Sequence, residues 1–385
     1  MKDSWGCVIL SGGRGSRMGN TDKSGLSYEG RTFLQRTKEQ LEVLQVPCYL
    51  SRASYRTAEA EDGFQVIEDT VQGADGEWIG PMGGIWSCFE NVQEDCLFFV
   101  SCDMPMFRTL MAERLLKHME PGADAVLWRT RDGRLQPMCA LYSRSCLKVL
   151  KQHMDQQNYR MMKFLGSIRC VIVDTASEHI PDTWFMNVNT PEVYERLTNK
   201  RQPVLAVSGS KNTGKTWLLE QLVTVLSAAG IRTAVIKHDG HEFEADVPGT
   251  DSYRMKQAGA YGTVVYSGSQ FSLVKEQTGL EAKDFLACFP EADLILLEGQ
   301  KNSSWPKIEV LRREISQDPV CRPDTVLFYV ADCDVNVADG AINGAMDCTV
   351  NGAVNGDTAD AKRVLRFEQT EEIAELVIQF MDQME

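Results

Sequence analysis

Residues 209–216 read GSKNTGKT, a glycine, four residues and then Gly-Lys-Thr. At that spacing a loop turns its backbone N–H groups onto a polyphosphate, and a helix opening behind it adds the positive end of its dipole. Gly209, Asn212, Thr213 and Gly214 build the cradle, Lys215 reaches toward β and γ phosphates, and the Thr216 hydroxyl is a Mg²⁺ ligand. Such a loop also needs an acid at the end of a neighbouring strand. Glu298, closing the apolar run LILLE, is the expected metal-side carboxylate, with Asp239, two residues past TAVIK, as a second candidate.

A different glycine-rich loop follows the first apolar run. From Leu10 it reads LSGGRGSRMG, in which Gly13 and Gly15 meet the first two positions of a dinucleotide fingerprint but Met18 takes the third. It offers N–H groups, Arg14 and Arg17, and then Asp22-Lys23, so it reads as a basic cradle for a triphosphate. Downstream come Asp69, the turn Gly80 to Gly84 opening a helix, and Asp103, two residues past the apolar run ending FFVS. An acid at the carboxyl end of a strand, near a phosphate loop from another strand, is placed to hold Mg²⁺. His238 and His241, three residues apart in a glycine-containing loop, are a poor match to zinc spacing, and none of the five histidines suggests a Ser-His-Asp arrangement.

The elements that must carry these loops are legible around them. WGCVIL (5–10) and CLFFVS (96–101) read as buried strands, and the pattern from Phe33 to Val46 as a helix, an alternation that predicts a mostly parallel sheet with covering helices. PVLAVS (203–208), TAVIK (233–237) and ADLILLEG (292–299) repeat the strand signal. Leu218, Leu219, Leu222, Val225 and Leu226 fall on one helix face that should end near Gly230. The polar segment 190–203 separates the two halves. Residues 338–361, rich in Gly, Asn, Ala and Asp without a period, read as a surface loop or a poorly ordered insertion, and a final helix follows through Ile373, Leu376, Val377 and Phe380.

With 385 residues the chain is expected to form two or three domains, and its composition is globular. The net charge of −14 is lopsided: residues 1–200 hold 23 basic and 26 acidic side chains, residues 201–385 hold 17 and 28. So acidic a second half excludes coating a nucleic-acid duplex but not a local pocket for a small anion. Twelve scattered cysteines, none in a CxxC, read as reduced thiols of a cytoplasmic protein, and no 18-residue apolar run suggests a membrane span.

LSGGRGSRMGNTDK, the segment from Asp69 to Ile85, SCDMP, DGRLQPMCALY and FMNVNTPEVY together resemble molybdenum cofactor guanylyltransferase, a nucleotidyltransferase of Rossmann-like α/β fold. KHDGHEFEADVPGTDSYRMKQAGA, LLEGQK and PKIEVLR, following the P-loop, resemble the GTP-binding adaptor of molybdopterin-guanine dinucleotide biosynthesis. The resemblance implies a natural fusion, with a transferase domain at 1–198 and a P-loop adaptor domain at 203–385. It implies GTP on Leu10, Ser11, Gly12, Gly13 and Lys23, with Ser51 and Asp69 near the guanosine, Mg²⁺ on Asp103, and the pterin near Gln136, Asn187 and Asn189. Two departures stand out: about five extra residues between Asp69 and Gly80, and Thr250 where the adaptor family has a lysine.

The chemistry so implied is attack of a terminal molybdopterin phosphate on the α-phosphorus of GTP, with Arg17 and Lys23 stabilising the departing pyrophosphate. Molybdoenzymes and other proteins of molybdenum cofactor biosynthesis are the implied partners. A cytidylyltransferase, a sugar-phosphate nucleotidyltransferase and a non-catalytic GTP-dependent delivery protein are the alternatives.

Overall fold

A computed structural model describes residues 4–11, 25–53, 64–73, 76, 78–199, 201–239, 244–333, 335 and 363–384. The chain falls into two compact units. Unit 1 is Met1–Arg201 with Ala228–Gly230 and Ala374–Glu385; unit 2 is Gln202–Ser227 and Ile231–Ile373. Segment 338–361 lies outside the described residues.

Unit 1 contains, in chain order, β1 (Trp5–Leu10), β2 (Ser27–Tyr28), β3 (Arg31–Thr32), α1 (Phe33–Glu42), β4 (Cys48–Ala53), β5 (Gln65–Asp69), α2 (Pro81–Asn91) and β6 (Cys96–Ser101). It continues with α3 (Thr109–Lys117), β7 (Ala125–Arg129), β8 (Leu135–Ser143), α4 (Leu147–Asp155), α5 (Met161–Leu165), β9 (Cys170–Asp174) and α6 (Pro191–Thr198). Seven strands form one sheet in the order β5-β4-β1-β6-β8-β7-β9. All neighbours are parallel except β8, which runs antiparallel to both β6 and β7. Continuous apolar runs suit β1 and β6 because helices cover both faces of such a sheet: Cys7, Val8, Ile9 and Leu97 through Val100 are all fully buried. The chain passes from β1 outward to β4 and β5, then returns to β6 on the other side of β1. That reversal opens a crevice at the carboxyl ends of β1 and β6, where ligands of such sheets bind.

The two helices nearest that edge have clear local causes. Thr32 and Gln35 form a capping box at the start of α1, with Gln35 N donating to Thr32 Oγ1 at 3.1 Å and Thr32 N to Gln35 Oε1 at 3.0 Å. Gly80 enters α2 at φ +73° and Pro81 takes the first helical position, where its missing N–H costs nothing. Met82, Ile85, Cys88 and Phe89 then pack into the core with Val8, Leu97 and Phe99.

The last residues of the chain also serve unit 1. Arg131 holds Glu375 through both carboxylate oxygens at 2.7 and 2.8 Å and reaches Asp182 at 3.0 Å and Asp382 at 3.4 Å. Burial raises the Asp382 carboxyl to about 6, against the pull of the Thr183 and Asp182 N–H groups and of Arg131.

Unit 2 contains β10 (Val204–Ser208), α7 (Lys215–Ala228), β11 (Thr233–Lys237), α8 (Asp251–Gln257), β12 (Gly262–Tyr266), β13 (Phe271–Lys275), β14 (Leu294–Glu298), β15 (Lys307–Leu311), β16 (Val326–Ala331), β17 (Val364–Leu365) and the start of α9 (Thr370–Gln383). Its main sheet has the order β11-β14-β10-β15-β16-β17, parallel throughout, while β12 and β13 pair as a separate antiparallel hairpin. On α7, Leu218, Leu219, Leu222 and Leu226 are buried and Val225 is half-buried, the face that the leucine spacing predicts. Gly230, at φ +74°, lies just past its end.

Candidate functional site

In unit 1, parallel pairing sets Leu10 opposite both Ser51 of β4 and Ser101 of β6. The backbone extends this join: Ser11 N donates to the Ser51 carbonyl at 2.9 Å, and Cys102 N to the Leu10 carbonyl at 3.0 Å. Ser11, Ser51, Asp69 and Asp103 are all buried at this edge. Ser11 Oγ has no hydrogen-bond partner among the described residues, so a buried hydroxyl is left to a ligand. Gly12, Gly13, Arg17 and Lys23, with Arg14 and Asp22, lie outside the described residues.

Asp69 ends β5 and accepts hydrogen bonds from Val71 N and Ser87 Oγ, each at 3.1 Å. Burial raises its pKa, and those two donors only partly offset it. The first turn of α2 lies against this carboxylate: a Cβ on Gly83 would sit 3.1 and 3.2 Å from its oxygens, and one on Gly84 would sit 3.0 Å from Leu10 Cδ2. At both places a side chain would crowd its neighbours, which glycine avoids. Asp103 accepts from Ser101 Oγ at 2.5 Å, and its carbonyl accepts Val188 N at 2.9 Å, which ties the stretch Asn187 to Asn189 to the same edge. Asn187 Nδ2 donates to the Phe185 carbonyl at 3.0 Å. Gln136 lies near the start of β8, whose antiparallel register with Val100 opposite Cys139 carries it toward the Asp103 end of β6, and its Nε2 is 3.4 Å from Thr130 Oγ1. Sequence reasoning missed Ser87 and Ser101. Both had a signal in hindsight, one helical turn from Gly83 and Gly84 and two residues before Asp103.

In unit 2 the loop between β10 and α7 is held by close contacts. Gly209 has φ +138° and Asn212 +65°, and Thr213, fully buried, donates to the Ser210 carbonyl at 3.1 Å. Lys215 Nζ donates to that same carbonyl at 2.5 Å; burial lowers its pKa, with Glu298 pulling the other way. Thr216 Oγ1 donates to Glu298 Oε1 at 2.8 Å. Glu298 stands opposite Val207 on one side and Lys237 on the other, and Lys237 Nζ reaches its second oxygen at 3.4 Å. A cavity of about 2450 Å³ opens from the loop toward β11 and β14, with Asp239, His238, Lys256 and Lys301 on its walls. His241 lies outside the described residues.

The donors around both sites are hard oxygens. Asp103 with Ser101, and Thr216 with Glu298, fit Mg²⁺, which takes only one or two protein oxygens and keeps the rest for phosphates and water.

Residues 7–171 match the model of the MobA-like NTP transferase domain, and residues 204–332 match that of molybdopterin guanine dinucleotide synthesis protein B. A molybdenum cofactor guanylyltransferase from a Shewanella species is 30% identical over 191 residues, covering 49% of this chain and 93% of that protein. A molybdopterin-guanine dinucleotide biosynthesis adapter protein from Haemophilus influenzae is 35% identical over 136 residues, covering 34% of this chain and 76% of that protein. The chain belongs to both families. The transferase match spans β1 through the start of β9, including Ser51, Asp69 and Asp103, while Asn187 and Asn189 lie beyond it. The adapter match begins on β10 and ends at Asp332, so it takes in the phosphate loop, Glu298 and β15.

Proposed function

We propose that unit 1 transfers GMP from GTP to molybdopterin or its molybdenum-loaded form, releasing pyrophosphate, and that unit 2 binds GTP as an adapter for the product. The observation that carries the reading is the convergence at the β1/β6 crevice. Asp103, the orphaned Ser11 hydroxyl and the Asn187 to Asn189 stretch share one strand edge, at the point in the chain where the first glycine-rich sequence begins.

The attacking group, a phosphate monoester, is already anionic near neutral pH, so the site needs no strong base. It needs charge neutralisation and in-line placement of two polyanions. Ser101 orients the Asp103 carboxylate, and the Val188 N–H fixes the backbone behind it, so the acid is held in the turn just past β6. Mg²⁺ held by Asp103 would supply positive charge between the phosphates. Arg17 and Lys23, on the glycine-rich loop, would take the developing charge of pyrophosphate. Ser51 and Asp69 would meet the guanosine, and Gln136, Asn187 and Asn189 the pterin. Asp69, buried at the end of β5, would offer its carboxylate oxygens to a base edge.

In unit 2, Gly209, Asn212, Thr213, Gly214 and Lys215 would hold the phosphates of GTP, with Thr216 and Glu298 at the Mg²⁺ side. We place the functional domains at 1–198 and 203–385, with the final turns of α9 lent to unit 1. The free, mostly buried cysteines support a cytoplasmic setting, and molybdoenzymes are the proposed recipients of the product.

The test is product analysis after incubating the full chain with molybdopterin, Mg²⁺ and equal GTP, CTP and ATP. The expected result is guanine dinucleotide and stoichiometric pyrophosphate, lost in Asp103→Ala. A cytosine product, absence of pyrophosphate, or wild-type turnover by Asp103→Ala would refute the assignment.

A further inference from the structure

We propose that Arg312 is a second phosphate-binding cation of the unit 2 loop, contacting the nucleotide from the β15 side and therefore binding GTP and GDP alike. The inference rests on the reading of that loop as a nucleotide site.

Three observations meet at this residue. Arg312 follows directly after β15, the strand paired with β10 on the side away from β14, so Arg312 and Glu298 flank the phosphate loop from opposite sides. Its guanidinium lies against the loop itself: a Cβ on Gly214 would be 3.2 Å from Arg312 Nη2 and 3.7 Å from Cζ. The guanidinium also stacks over the Phe367 ring at 4.7 Å, which holds it in place, and Phe367 is braced in turn by Trp217 of α7 at 5.7 Å between ring centroids.

What this cation lacks is an anion. Its side chain forms no hydrogen bond and no ion pair among the described residues, and its Nε is buried without a partner. Other arginines at strand ends are paired, as Arg129 is with Asp174 and Arg232 with Asp293. A guanidinium drawn partly out of water and left without a counter-charge is unfavourable unless something anionic arrives. The neighbour beside it is a loop whose purpose is to gather anionic oxygens, and Arg presents planar donors that fit phosphate geometry.

The side of approach decides which phosphates it meets. Thr216 and Glu298 mark the metal end of the bound nucleotide, where the β and γ oxygens lie, on the β14 side. Arg312 faces the opposite flank, so it contacts the diphosphate portion common to GTP and GDP rather than the terminal phosphate. This makes it a binding residue for the nucleotide and not a group that accelerates hydrolysis.

The experiment is a two-site calorimetric titration of the full chain with GTP and separately with GDP, using Lys215→Ala to mark which site is the loop. In Arg312→Ala, affinity at that site should fall about ten- to a hundredfold for both nucleotides, the loss expected for one charge-assisted hydrogen bond or a bidentate pair. Arg312→Lys should recover part of it, and melting without nucleotide should be unchanged. Unchanged affinity in Arg312→Ala overturns the inference and leaves the loop reading intact. A fall in saturated GTP turnover with unaltered GDP affinity also overturns it, in favour of a γ-phosphate role, and lower nucleotide-free melting with rescue by neither nucleotide assigns Arg312 to packing. If Lys215→Ala removes no binding site, the loop reading itself fails.

Discussion

Gly209→Ala tests how the unit 2 loop is held, and the structure sets its size. The residue sits at φ +138°, where an L side chain is strained, and a Cβ there would overlap the Val310 carbonyl oxygen and lie 3.2 Å from Thr213 Oγ1. The obstacle is backbone of β15, with Ile308 through Leu311 fully buried, so it cannot swing aside as a side chain would. Backbone strain of about 1–3 kcal/mol and overpacking of about 1–3 kcal/mol together give roughly 2–6 kcal/mol. Gly214→Ala is the control. At φ +99° it suffers the same backbone strain, but its nearest neighbours are the Arg312 and Phe367 side chains at 3.2 and 3.4 Å, which can shift, so about 1–3 kcal/mol is expected. The assay is thermal unfolding of each variant with GTP titration at the loop site. Gly209→Ala should lose at least about thirtyfold in affinity, since roughly 1.4 kcal/mol is tenfold, and should melt lower than Gly214→Ala. Wild-type affinity in Gly209→Ala, or the reverse order of the two glycines, would refute the packing argument.

Removing residues 203–385 to ask whether unit 2 is needed would also remove Glu375 and Asp382 from Arg131, leaving Asp182 as its carboxylate. Because Arg131 keeps 16% side-chain exposure and one partner, about 2 kcal/mol of unit 1 stability should be lost, below the full cost of breaking a buried pair. Melting of the truncated protein should rise again in Arg131→Met, and a truncation that melts like unit 1 of the full chain would contradict this. The Asp382 carboxyl, at about 6 against an ordinary 3.8, favours its neutral form in the fold. Its contribution is therefore complete below about pH 4 and lost as pH rises through 6. Asp382→Asn should match wild type in melting near pH 4 and exceed it increasingly toward pH 7; a constant difference across that range would refute the assignment.

The phosphate loop, the strands that carry it, Glu298 and Asp103 were legible because each depends on local pattern. A glycine spacing, an apolar run and the acid that ends it all lie within a few residues of one another. Even the pairing of Thr216 with Glu298 follows once the loop leading into α7 and the acid are assigned to the carboxyl ends of neighbouring parallel strands, here β10 and β14.

What the sequence could not contain is adjacency between segments far apart in the chain. The antiparallel course of β8, the approach of α2 glycines to Asp69, the Val188 contact with Asp103 and the grip of Arg131 on Glu375 join residues by register and packing, not by spacing. Arg312 makes the point most sharply. The family-like segment PKIEVLR ends on it but gives it no position; only the end of β15 beside β10, and Phe367 arriving from more than fifty residues later, set it against Gly214. Local sequence determines which groups can do chemistry, because propensity and loop geometry act over a few residues. Tertiary structure decides which of them face one another, because the sheet order that brings strand ends together is fixed by burial across the whole unit.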